Sequence, residues 1–585
     1  MTITSQELLA TGLVQDPGAI PLVIGVAGHR DPRPEDLPVL RERCRSLLVE
    51  LMELLPHTPL LMLNGLAAGM DTEAAEIFLD VTSEQRRSRP EAPNHQLVAA
   101  LPKPKELYIK EDFEEDGEPV NAEARQRLID LLQKADAILD GDNCQDLSEP
   151  SIRSGETRDR FDPRCYGKQG MFLVRHCYLL LAFSNGIDSG KIGGTSQTVA
   201  MQRGELYPLF MDVDEVIAAR EPGVVVEVTT PRKSDDMRYC PVGAVRYWGE
   251  NLDGSRTESN EMTTLEKQSL RSLLQISPIP YKLESINSRL GHWPPAEVHG
   301  DMQSSLWRYA DHQANLMKKR YVLWCRLVMV GSVAVGLSIS QQAWQAVGLL
   351  VVLAAVVIFP RLQQGPKLLF IQWRCLAESL LVTDQWAALN INSDTADLFH
   401  SHTNQNFAWM RTVLRARRLQ LMAIQSKPSM RAPFPEAMDC CRLWIVNQAE
   451  WLEKTIKKQQ IYDQSSLWFG MASFAVTVIL SLLYSIFGFN QIDELWSELG
   501  IATTAALLGY RELMGYGDTN ARYGRSLAQF RRAVKALTAA KADPGEPEML
   551  PYRKRLVVQA VGMEKIDELN DWVGDQLQRV YKPGG

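Results

Sequence analysis

Short apolar runs alternate with amphipathic stretches along residues 21–230. The apolar runs predict strands at Leu22–Ala27, Pro59–Leu63, Gln96–Leu101, Ala137–Leu139, Tyr178–Phe183, Tyr207–Phe210 and Val224–Val228. The stretches between them predict helices such as Asp36–Leu55, Thr72–Asp80 and Ala122–Ala135. Because strands that alternate with helices form βαβ units, this part is predicted to be an α/β Rossmann-like domain with an open parallel sheet. The polar segment Gly141–Gly170 is interpreted as a loop.

Beyond residue 301 the pattern changes to long apolar stretches next to basic helices. Four stretches are candidate membrane spans: Tyr321–Ser340, Ala343–Phe359, Leu467–Phe489 and Leu495–Met514. The third has 23 residues without a charge, which as a helix would cover about 34 Å, more than the roughly 30 Å of a hydrocarbon core. We therefore expect an all-α membrane region of two helical hairpins with long cytoplasmic helices. The alternative is that these stretches are core helices of a large soluble protein.

Charges around the four stretches predict how the hairpins are oriented. Their outer flanks are basic, as at Lys318–Arg320, Lys457–Lys458 and Arg511, whereas the inner connections contain no Lys or Arg. Since Lys and Arg accumulate on the cytoplasmic side, both termini and the α/β domain are predicted to be cytoplasmic. The first 20 residues lack the pattern of a signal peptide and are treated as an N-terminal extension.

Composition excludes several classes of protein. The net charge of −8 provides no general attraction for nucleic acid. The nine cysteines include no CxxC pair, so neither a disulfide scaffold nor a zinc module is expected, and no metal or cofactor is predicted.

Three glycine-containing turns come directly after predicted strands, at Gly25–Arg30, Asn64–Asp71 and Asn185–Thr195. Glycines let backbone N–H groups approach an anion, and the N-terminus of the next helix adds further donors. In an open α/β sheet such turns meet where ligands bind. The predicted ligand-binding residues are Gly28, His29, Arg30, Asn64, Gly65, Gly69, Asp71, Lys191, Gly193, Gly194 and Thr195.

Each of these turns could also have a purely structural role. Asp71 and Thr195 could each cap a helix, Arg30 could be solvated, and Gly193-Gly194 could relieve a tight turn. The lysines after the third predicted strand are interpreted as solvated surface rather than a phosphate clamp; they are Lys103, Lys105 and Lys110.

The first two turns and Gly193-Gly-Thr195 resemble the SLOG superfamily of Rossmann-like domains, which includes Smf/DprA, the LOG phosphoribohydrolases and the TRPM sensor domain. The stretch Asn64–Ala75 is especially similar to the Smf/DprA loop. The resemblance covers about residues 21–230 and implies a nucleotide-type ligand. LOG enzymes have a catalytic Glu three residues after the Thr of the phosphate loop, where this chain has Thr198. That departure favours binding over hydrolysis.

The helical region, about residues 305–540, resembles SLATT domains, two-span membrane units that accompany SLOG sensors in bacterial conflict systems. The similar segments are Trp373–Val382, Phe407–Arg411 and Arg522–Arg532. Arg374 and Glu378 are predicted to hold their helix against a neighbouring protomer, the alternative being an exposed pair. The predicted domains are an extension (1–20), the SLOG-like domain (21–230), a connecting region (231–304), two SLATT-like units (305–430 and 431–550) and a helical tail (551–585).

Together these features predict a sensor-effector of bacterial antiviral defence in the inner membrane. Its cytosolic domain would bind a nucleotide or nucleotide-derived second messenger, and its hairpins would form homo-oligomers and act on membrane lipid. One alternative is a membrane-tethered LOG-like hydrolase that uses Glu73 or Glu76. Another is a single-stranded DNA binder of the Smf/DprA type, which the negative net charge disfavours.

Overall fold

The computed structural model describes residues 18–115, 118–148, 162–205, 207, 223–235, 241–248, 270–271, 279–292, 304–340, 345–399, 404–431, 433–488, 492–539 and 549–578. The chain forms two compact units. The first, called the sheet unit, comprises Met1–Leu306 and Thr383–Pro433. The second, called the helical unit, comprises Trp307–Val382 and Phe434–Gly585.

A seven-stranded sheet organises the sheet unit, with the spatial order β6-β3-β2-β1-β7-β8-β9. All neighbouring strands are parallel except β9, which is antiparallel to β8. The strands are β1 (Leu22–Gly28), β2 (Leu60–Asn64), β3 (Gln96–Ala100), β6 (Ala137–Leu139), β7 (Leu179–Ser184), β8 (Val224–Thr229) and β9 (Val245–Trp248), and a separate antiparallel pair consists of β4 (Glu114–Glu115) and β5 (Glu118–Pro119).

Helices alternate with the strands of the sheet unit and also build the helical unit. The described α-helices are α1 (Leu37–Leu54), α2 (Met70–Ser88), α3 (Lys105–Phe113), α4 (Ala122–Lys134), α5 (Pro163–His176), α6 (Thr195–Gln202), α7 (Ile279–Leu290), α8 (Ser305–Ser340), α9 (Gln345–Ala388), α10 (Asn404–Gln425), α11 (Phe434–Phe487), α12 (Ile492–Met514), α13 (Tyr516–Ala539) and α14 (Met549–Gln578). The predicted class, an α/β parallel sheet with a largely helical region after it, is confirmed.

Six predicted strands occur within one residue of their expected ends, and the seventh, Tyr207–Phe210, lies outside the described residues except for Tyr207. The strands agree with the prediction chiefly because both faces of the sheet are buried, so that each strand is an apolar run. In β7, for example, all six residues are buried. The loop prediction for Gly141–Gly170 was wrong at its end, because α5 begins at Pro163. Asp162 caps that helix by accepting the N–H of Arg164. The largest hydrophobic side chains of α5 lie toward its C-terminal end, so the first turn of this helix has the polar pattern of a loop.

Residues 383–433 belong to the sheet unit, although the sequence predicts residues 383–430 in the first SLATT-like unit and residues 431–433 in the second. Helix α9 ends with Asn390 in a left-handed conformation (φ 54°), and the N–H of Ile391 returns to the carbonyl of Trp386. Within the sheet unit, Asp397 then accepts hydrogen bonds from Arg175 on α5 and from Arg415 on α10. These pairs attach α10 to the α/β framework.

In the helical unit, α8 lies against the second half of α9. Tyr309 meets Trp373 edge to face at 5.6 Å, and Asp311 accepts a 2.9 Å hydrogen bond from Arg374. Both helices are continuous between their polar and their apolar stretches, so each is a single element.

Helices α11 and α12 form an antiparallel pair within the helical unit. The Nε atom of Arg511 on α12 is 2.7 Å from a carboxylate oxygen of Asp463 on α11. Farther along, the hydroxyl of Ser473 donates to the carbonyl of Gly500 at 3.1 Å. Gly515, with φ 58°, ends α12 and allows α13 to start in a new direction.

The predicted ion pair of Arg374 and Glu378 is buried inside the helical unit. Glu378 is 7% exposed and its carboxylate contacts Arg374 and, at 3.7 Å, Lys565 on α14. The exposed-pair alternative was therefore wrong. Because its partners lie in the same chain, this pair can form without a neighbouring protomer. Burial raises the pKa of the Glu378 carboxyl, but Arg374 and Lys565 outweigh that effect and hold the pKa below its usual range.

Among the helices that the structure describes, one is long and apolar enough to cross a membrane, and it is α11. Its second half exposes large apolar side chains: Trp468, Phe469, Phe474, Val476, Ile479, Leu482, Ile486 and Phe487. The other three predicted spans, and hence the multi-pass topology, stay predictions. The short connections at Gln341-Gln342 and next to Gln491 lie outside the described residues.

Candidate functional site

The predicted turns lie at the carboxyl edge of the sheet, around the point where the strand order reverses. From β1 the chain continues to β2, β3 and β6 on one side, and later returns to β7 and β8 on the other. In doubly wound sheets the crevice at such a switch point is where ligands bind. Here the switch point lies between the ends of β1 and β7.

The turns after β1 and β7 are joined to each other through His29. Its backbone N–H donates to the carbonyl of Phe183 at 3.1 Å, and its Nε2 atom accepts the N–H of Asn185 at 2.9 Å. Burial lowers the pKa of His29, which agrees with a neutral ring that accepts a hydrogen bond. His29 therefore joins the turns after β1 and β7 in this structure, while ligand contact by His29 stays a prediction.

The turn after β2 is organised by Asn64, which is fully buried. Its side chain accepts the N–H of Leu66 at 2.7 Å and donates to the carbonyl of Asp71 at 2.8 Å. These two bonds hold Leu66 at a positive φ of 52°. Gly65 permits close packing as well, because a Cβ there would lie 2.2 Å from the Gln169 side chain. Asn64 and Gly65 thus shape the turn.

Gly28 and Gly69 let the start of α2 approach the end of β1. A Cβ on Gly28 would lie 2.6 Å from the Cβ of Met70. Gly69 has φ 98°, and a Cβ on it would lie 2.5 Å from the carbonyl oxygen of His29. That same carbonyl accepts the N–H of Met70 at 3.1 Å. Because Gly69 occupies the N-cap position of α2, Asp71 does not cap that helix, and the capping alternative was wrong.

Asp71 is an unusual group for the first turn of a helix in a crevice. It is 8% exposed, and its Oδ1 atom has no hydrogen-bond partner among the described residues. Burial raises its pKa to about 7, although the nearby Arg30 guanidinium and two backbone N–H groups oppose that shift. A carboxyl group in this state can accept or donate a hydrogen bond near neutral pH.

Arg30 is the cation of the turn after β1, and its side chain is half exposed. Its guanidinium lies 5.1 Å from the ring centre of Tyr166 on α5 and 3.7 Å from a carboxylate oxygen of Asp112 on α3. Tyr166 also donates a hydrogen bond to Asp112. One side of the Arg30 guanidinium is thus solvated, as the alternative expected, whereas the other side faces Tyr166 and Asp112.

Lys103 was expected on the solvated surface, but its side chain is 1% exposed. Its ammonium lies 3.0 Å from Glu111, 2.9 Å from Asp112 and 5.5 Å from the ring centre of Tyr166. The expectation was wrong because Glu111 and Asp112, farther along on α3, turn back over Lys103. In this cluster of Arg30, Lys103, Glu111 and Asp112 the formal charges cancel.

The turn after β7 leads into α6 through two glycines with different roles. Gly193 has φ 74°, and a Cβ on it would lie 2.4 Å from the Cβ of Tyr166. Gly194 is the N-cap of α6, and a Cβ there would meet nothing closer than 3.3 Å, the carbonyl oxygen of Lys191. The fold therefore requires glycine at position 193 rather than 194. Thr195 is the first residue of α6, not its cap, and Lys191 is exposed.

The structure thus brings Gly28, Arg30, Asp71 and Gly193 to one edge of the sheet, together with two residues that sequence reasoning missed. Asp112 was not singled out in the sequence, and Tyr166 lies where a loop was predicted. Because Tyr166 and Asp112 are 54 residues apart, the contact between them has no local signal. Among the described residues, no group of three or more His, Cys, Asp or Glu side chains is arranged to hold a metal ion.

The carboxylates that a LOG-like hydrolase could use instead are engaged elsewhere. Arg127 on α4 lies 2.8 Å from Glu73 and 2.7 Å from Glu76, and Arg41 on α1 also pairs with Glu73. Despite some burial, which opposes it, Arg127 lowers the pKa of Glu76, so Glu76 is a poor general acid. Thr198, where LOG enzymes have glutamate, is buried and donates to the carbonyl of Gly194.

No protein-family model matches this sequence, and a search of curated proteins found no significant match. The fold and the residues of the crevice are therefore the basis for assigning a function.

Proposed function

We propose that the sheet unit binds a nucleotide or a nucleotide-derived second messenger in the crevice at the β1/β7 switch point. The observation that carries this proposal is the convergence there of three glycine turns, two helix N-termini and the half-exposed Arg30. A helix N-terminus favours anions through its unpaired N–H groups and its dipole. The phosphate would lie at the start of α6, close to Gly194 and Thr195.

The nucleoside part of the ligand would lie toward Asp71. A carboxyl group can accept a hydrogen bond from a ribose hydroxyl or a base N–H. Because the formal charges around Arg30 cancel, a bare phosphate would gain little from electrostatics. Affinity would therefore depend on the nucleoside as well, which favours a small nucleotide-type molecule over a long nucleic acid held by its phosphates. No cofactor is part of this proposal.

We infer that the helical unit is the effector and acts on the inner membrane. The apolar second half of α11 supports this, because at least eight large side chains there are exposed where a soluble protein would bury them. In the proposed arrangement the α8/α9 and α11/α12 hairpins cross the membrane, both termini are cytoplasmic, and homo-oligomers form. This chain would then resemble SLOG–SLATT systems of bacterial defence.

A hydrolytic role has less support. Glu73 and Glu76 are held by Arg41 and Arg127, and Thr198 cannot act as a general acid or base. Turnover of a nucleoside monophosphate to free base by the purified protein would restore this alternative.

The binding proposal can be tested by calorimetry on the full chain in detergent, with nucleotides, dinucleotides and cyclic nucleotides as probes. The full chain is needed because α7 and α10 belong to the sheet unit: Asn287 on α7, for example, accepts the N–H of Ile20 at 2.9 Å. Arg30→Ala should weaken binding by removing a cation, and Gly194→Val by blocking approach to the start of α6.

A matched control for Arg30→Ala is Arg45→Ala. Arg45 is an arginine of the same unit that pairs with Glu84, near the end of α2 that is remote from the crevice. Its replacement should leave affinity unchanged. If no probe binds, or if both arginine variants weaken binding equally, the crevice is not the binding site.

A further inference from the structure

Tyr166 contacts three elements of the proposed site at once. Its ring faces Arg30 at 5.1 Å and Lys103 at 5.5 Å, and its hydroxyl donates to Asp112. Arg30 comes after β1, Lys103 comes after β3 and Asp112 is on α3, so three separate segments meet on one side chain. Cations are attracted to the face of an aromatic ring.

The same residue also supports the glycine turn after β7. A Cβ at Gly193 would lie 2.4 Å from the Cβ of Tyr166 and 3.0 Å from the backbone nitrogen of Gly167. The turn therefore packs directly on the backbone and Cβ of α5, on the residue whose ring holds Arg30. Tyr166 is thus in contact with both the arginine and the glycine turn.

We propose that Tyr166 is a positioning residue that couples Arg30 to the glycine turn at Gly193, so that both are aligned for one anionic group. This inference rests on the proposed nucleotide site and adds how that site recognises phosphate. Tyr166 itself need not touch the ligand.

The physical reason is preorganisation. Arg30 has a long side chain, and its 3.7 Å separation from Asp112 is too great for a strong hydrogen bond. On its own that contact would leave the guanidinium many rotamers, whose loss on binding weakens affinity. The Tyr166 ring limits those rotamers while one side of the guanidinium stays exposed. The same tyrosine also fixes the glycine turn at Gly193. The guanidinium and the turn are therefore already ordered in the free protein, and ligand binding does not have to order them.

Two substitutions separate the parts of this role. Tyr166→Phe keeps the ring next to Arg30 and the packing against Gly193 but removes the hydroxyl that hydrogen-bonds with Asp112 and Arg30. Tyr166→Leu removes the ring as well. With AMP as the probe and the full chain in detergent, we expect Tyr166→Phe to bind within about threefold of wild type and Tyr166→Leu to bind about tenfold more weakly.

Adenosine provides the readout that a merely structural role would not change. Because Tyr166 aligns phosphate-facing groups, Tyr166→Leu should weaken AMP binding but leave adenosine binding unaltered. Tyr247→Leu is the matched control: Tyr247 is a partly buried tyrosine of the same unit, on the edge strand β9. It should leave the preference for AMP over adenosine unchanged. Equal losses for AMP and adenosine in Tyr166→Leu would overturn the positioning role.

Hydrogen exchange in the free protein distinguishes failure of this inference from failure of the proposed function. Tyr166→Leu should raise exchange at both residues 28–31 and 191–196, whereas Tyr166→Phe and Tyr247→Leu should not. If AMP does not bind but both segments respond, the coupling holds and the nucleotide proposal fails for AMP. If AMP binds and only one segment responds, the coupling is wrong.

Discussion

The centre of the sheet and the second half of α11 have equally apolar sequences but opposite surroundings. In β7 every residue from Leu179 to Ser184 is buried, whereas along α11 Trp468 and Ile486 are largely exposed, at 69% and 70%. The interior of the helical unit contains apolar side chains such as Leu376 and Leu380, but also charges, with Arg374, Glu378 and Lys565 around one another. An apolar pattern thus predicts that a segment avoids water. It does not predict whether protein or lipid covers that segment.

The first prediction tests whether the buried charges of the helical unit hold it together. Glu378→Gln removes the carboxylate between the partly exposed Arg374 and the buried Lys565, whose other carboxylate partners are Asp311 and Glu568. Because the lost carboxylate is itself buried between charges, the change should destabilise the unit by as much as about 3–5 kcal/mol. Thermal melting of the full chain in detergent measures this. Adding Lys565→Gln should recover part of the loss.

Glu453→Gln is the control for that experiment. Glu453 pairs with Lys457 and Arg531 on the surface of the same unit. Its removal should not change the melting temperature measurably, because water screens exposed pairs. If both glutamine variants change the melting temperature equally, the buried ion pairs stabilise the unit no more than the surface pairs do. The interior charges would then not distinguish the helical unit from the sheet unit.

The second prediction tests what covers the apolar half of α11. Ile479 is 55% exposed in the middle of that half. If lipid covers it, Ile479→Lys should cost about 2.5–3.5 kcal/mol of insertion free energy, and the chain should move from the membrane to the soluble fraction or aggregate. The readout is the fraction that resists carbonate extraction.

Ile461→Lys is a closely matched control, because Ile461 is 65% exposed on the same helix but stands among polar residues before the apolar half. It should leave membrane association unchanged. Full membrane association of the Ile479→Lys variant would mean that protein or water, not lipid, covers this surface.

How much of the structure could be predicted from the sequence differs between the two units. The strands were predictable, because short apolar runs bounded by turns alternate with longer amphipathic stretches. The turns at Gly28, Gly69 and Gly193 were predictable as close approaches of backbone, since each lacks room for a Cβ. The residues that surround these turns could not be predicted from the sequence. Tyr166 and Asp112 are 54 residues apart, and nothing local in the chain couples such a pair.

In the helical unit the sequence predicted helices and their apolar stretches, but not how far each helix extends. The basic pair at Lys457-Lys458 is predicted to mark the edge of a span, yet α11 runs without interruption for 54 residues through it. Helix propensity does not change where a helix passes from an aqueous to an apolar environment. The edge of a predicted span therefore does not predict the end of a helix. Similarly, Glu378 was predicted to contact a neighbouring protomer, because its second partner in this chain, Lys565, is almost 200 residues away.

The third prediction uses pH to separate the units. The His95 ring accepts the N–H of Leu60 at the start of β2 and contacts Gln85 through its other nitrogen. Burial lowers the pKa of His95 from 6.5 to about 4. A native pKa below the unfolded one means that stability is present above about pH 6.5 and lost as pH falls toward 4. By linkage the loss reaches about 2 kcal/mol at pH 5.

Hydrogen exchange at pH 7 and pH 5 should therefore show the sheet unit loosening around β2 before the helical unit changes. His95→Gln, which can still accept the N–H of Leu60, should reduce that pH dependence. In the helical unit, the lowered pKa of the Glu378 carboxyl supports stability above the normal glutamate range, and that support is lost only at lower pH. Simultaneous loosening of both units at pH 5 would contradict this separation.

The last prediction compares two glycines of one helix. A Cβ on Gly500 in α12 would lie 1.8 Å from the Thr477 hydroxyl of α11, whereas a Cβ on Gly509 would meet nothing within 4 Å. Gly500→Ala should therefore push α12 away from α11 and destabilise the pair by about 1–3 kcal/mol. Gly509→Ala should stabilise α12 by up to about 1 kcal/mol, since alanine is the better helix former. Close small-residue contacts are also how helices associate in lipid, where apolar burial provides no driving force. Thermal melting in detergent measures both variants, and equal effects of the two alanines would show that α12 does not pack on α11 through Gly500.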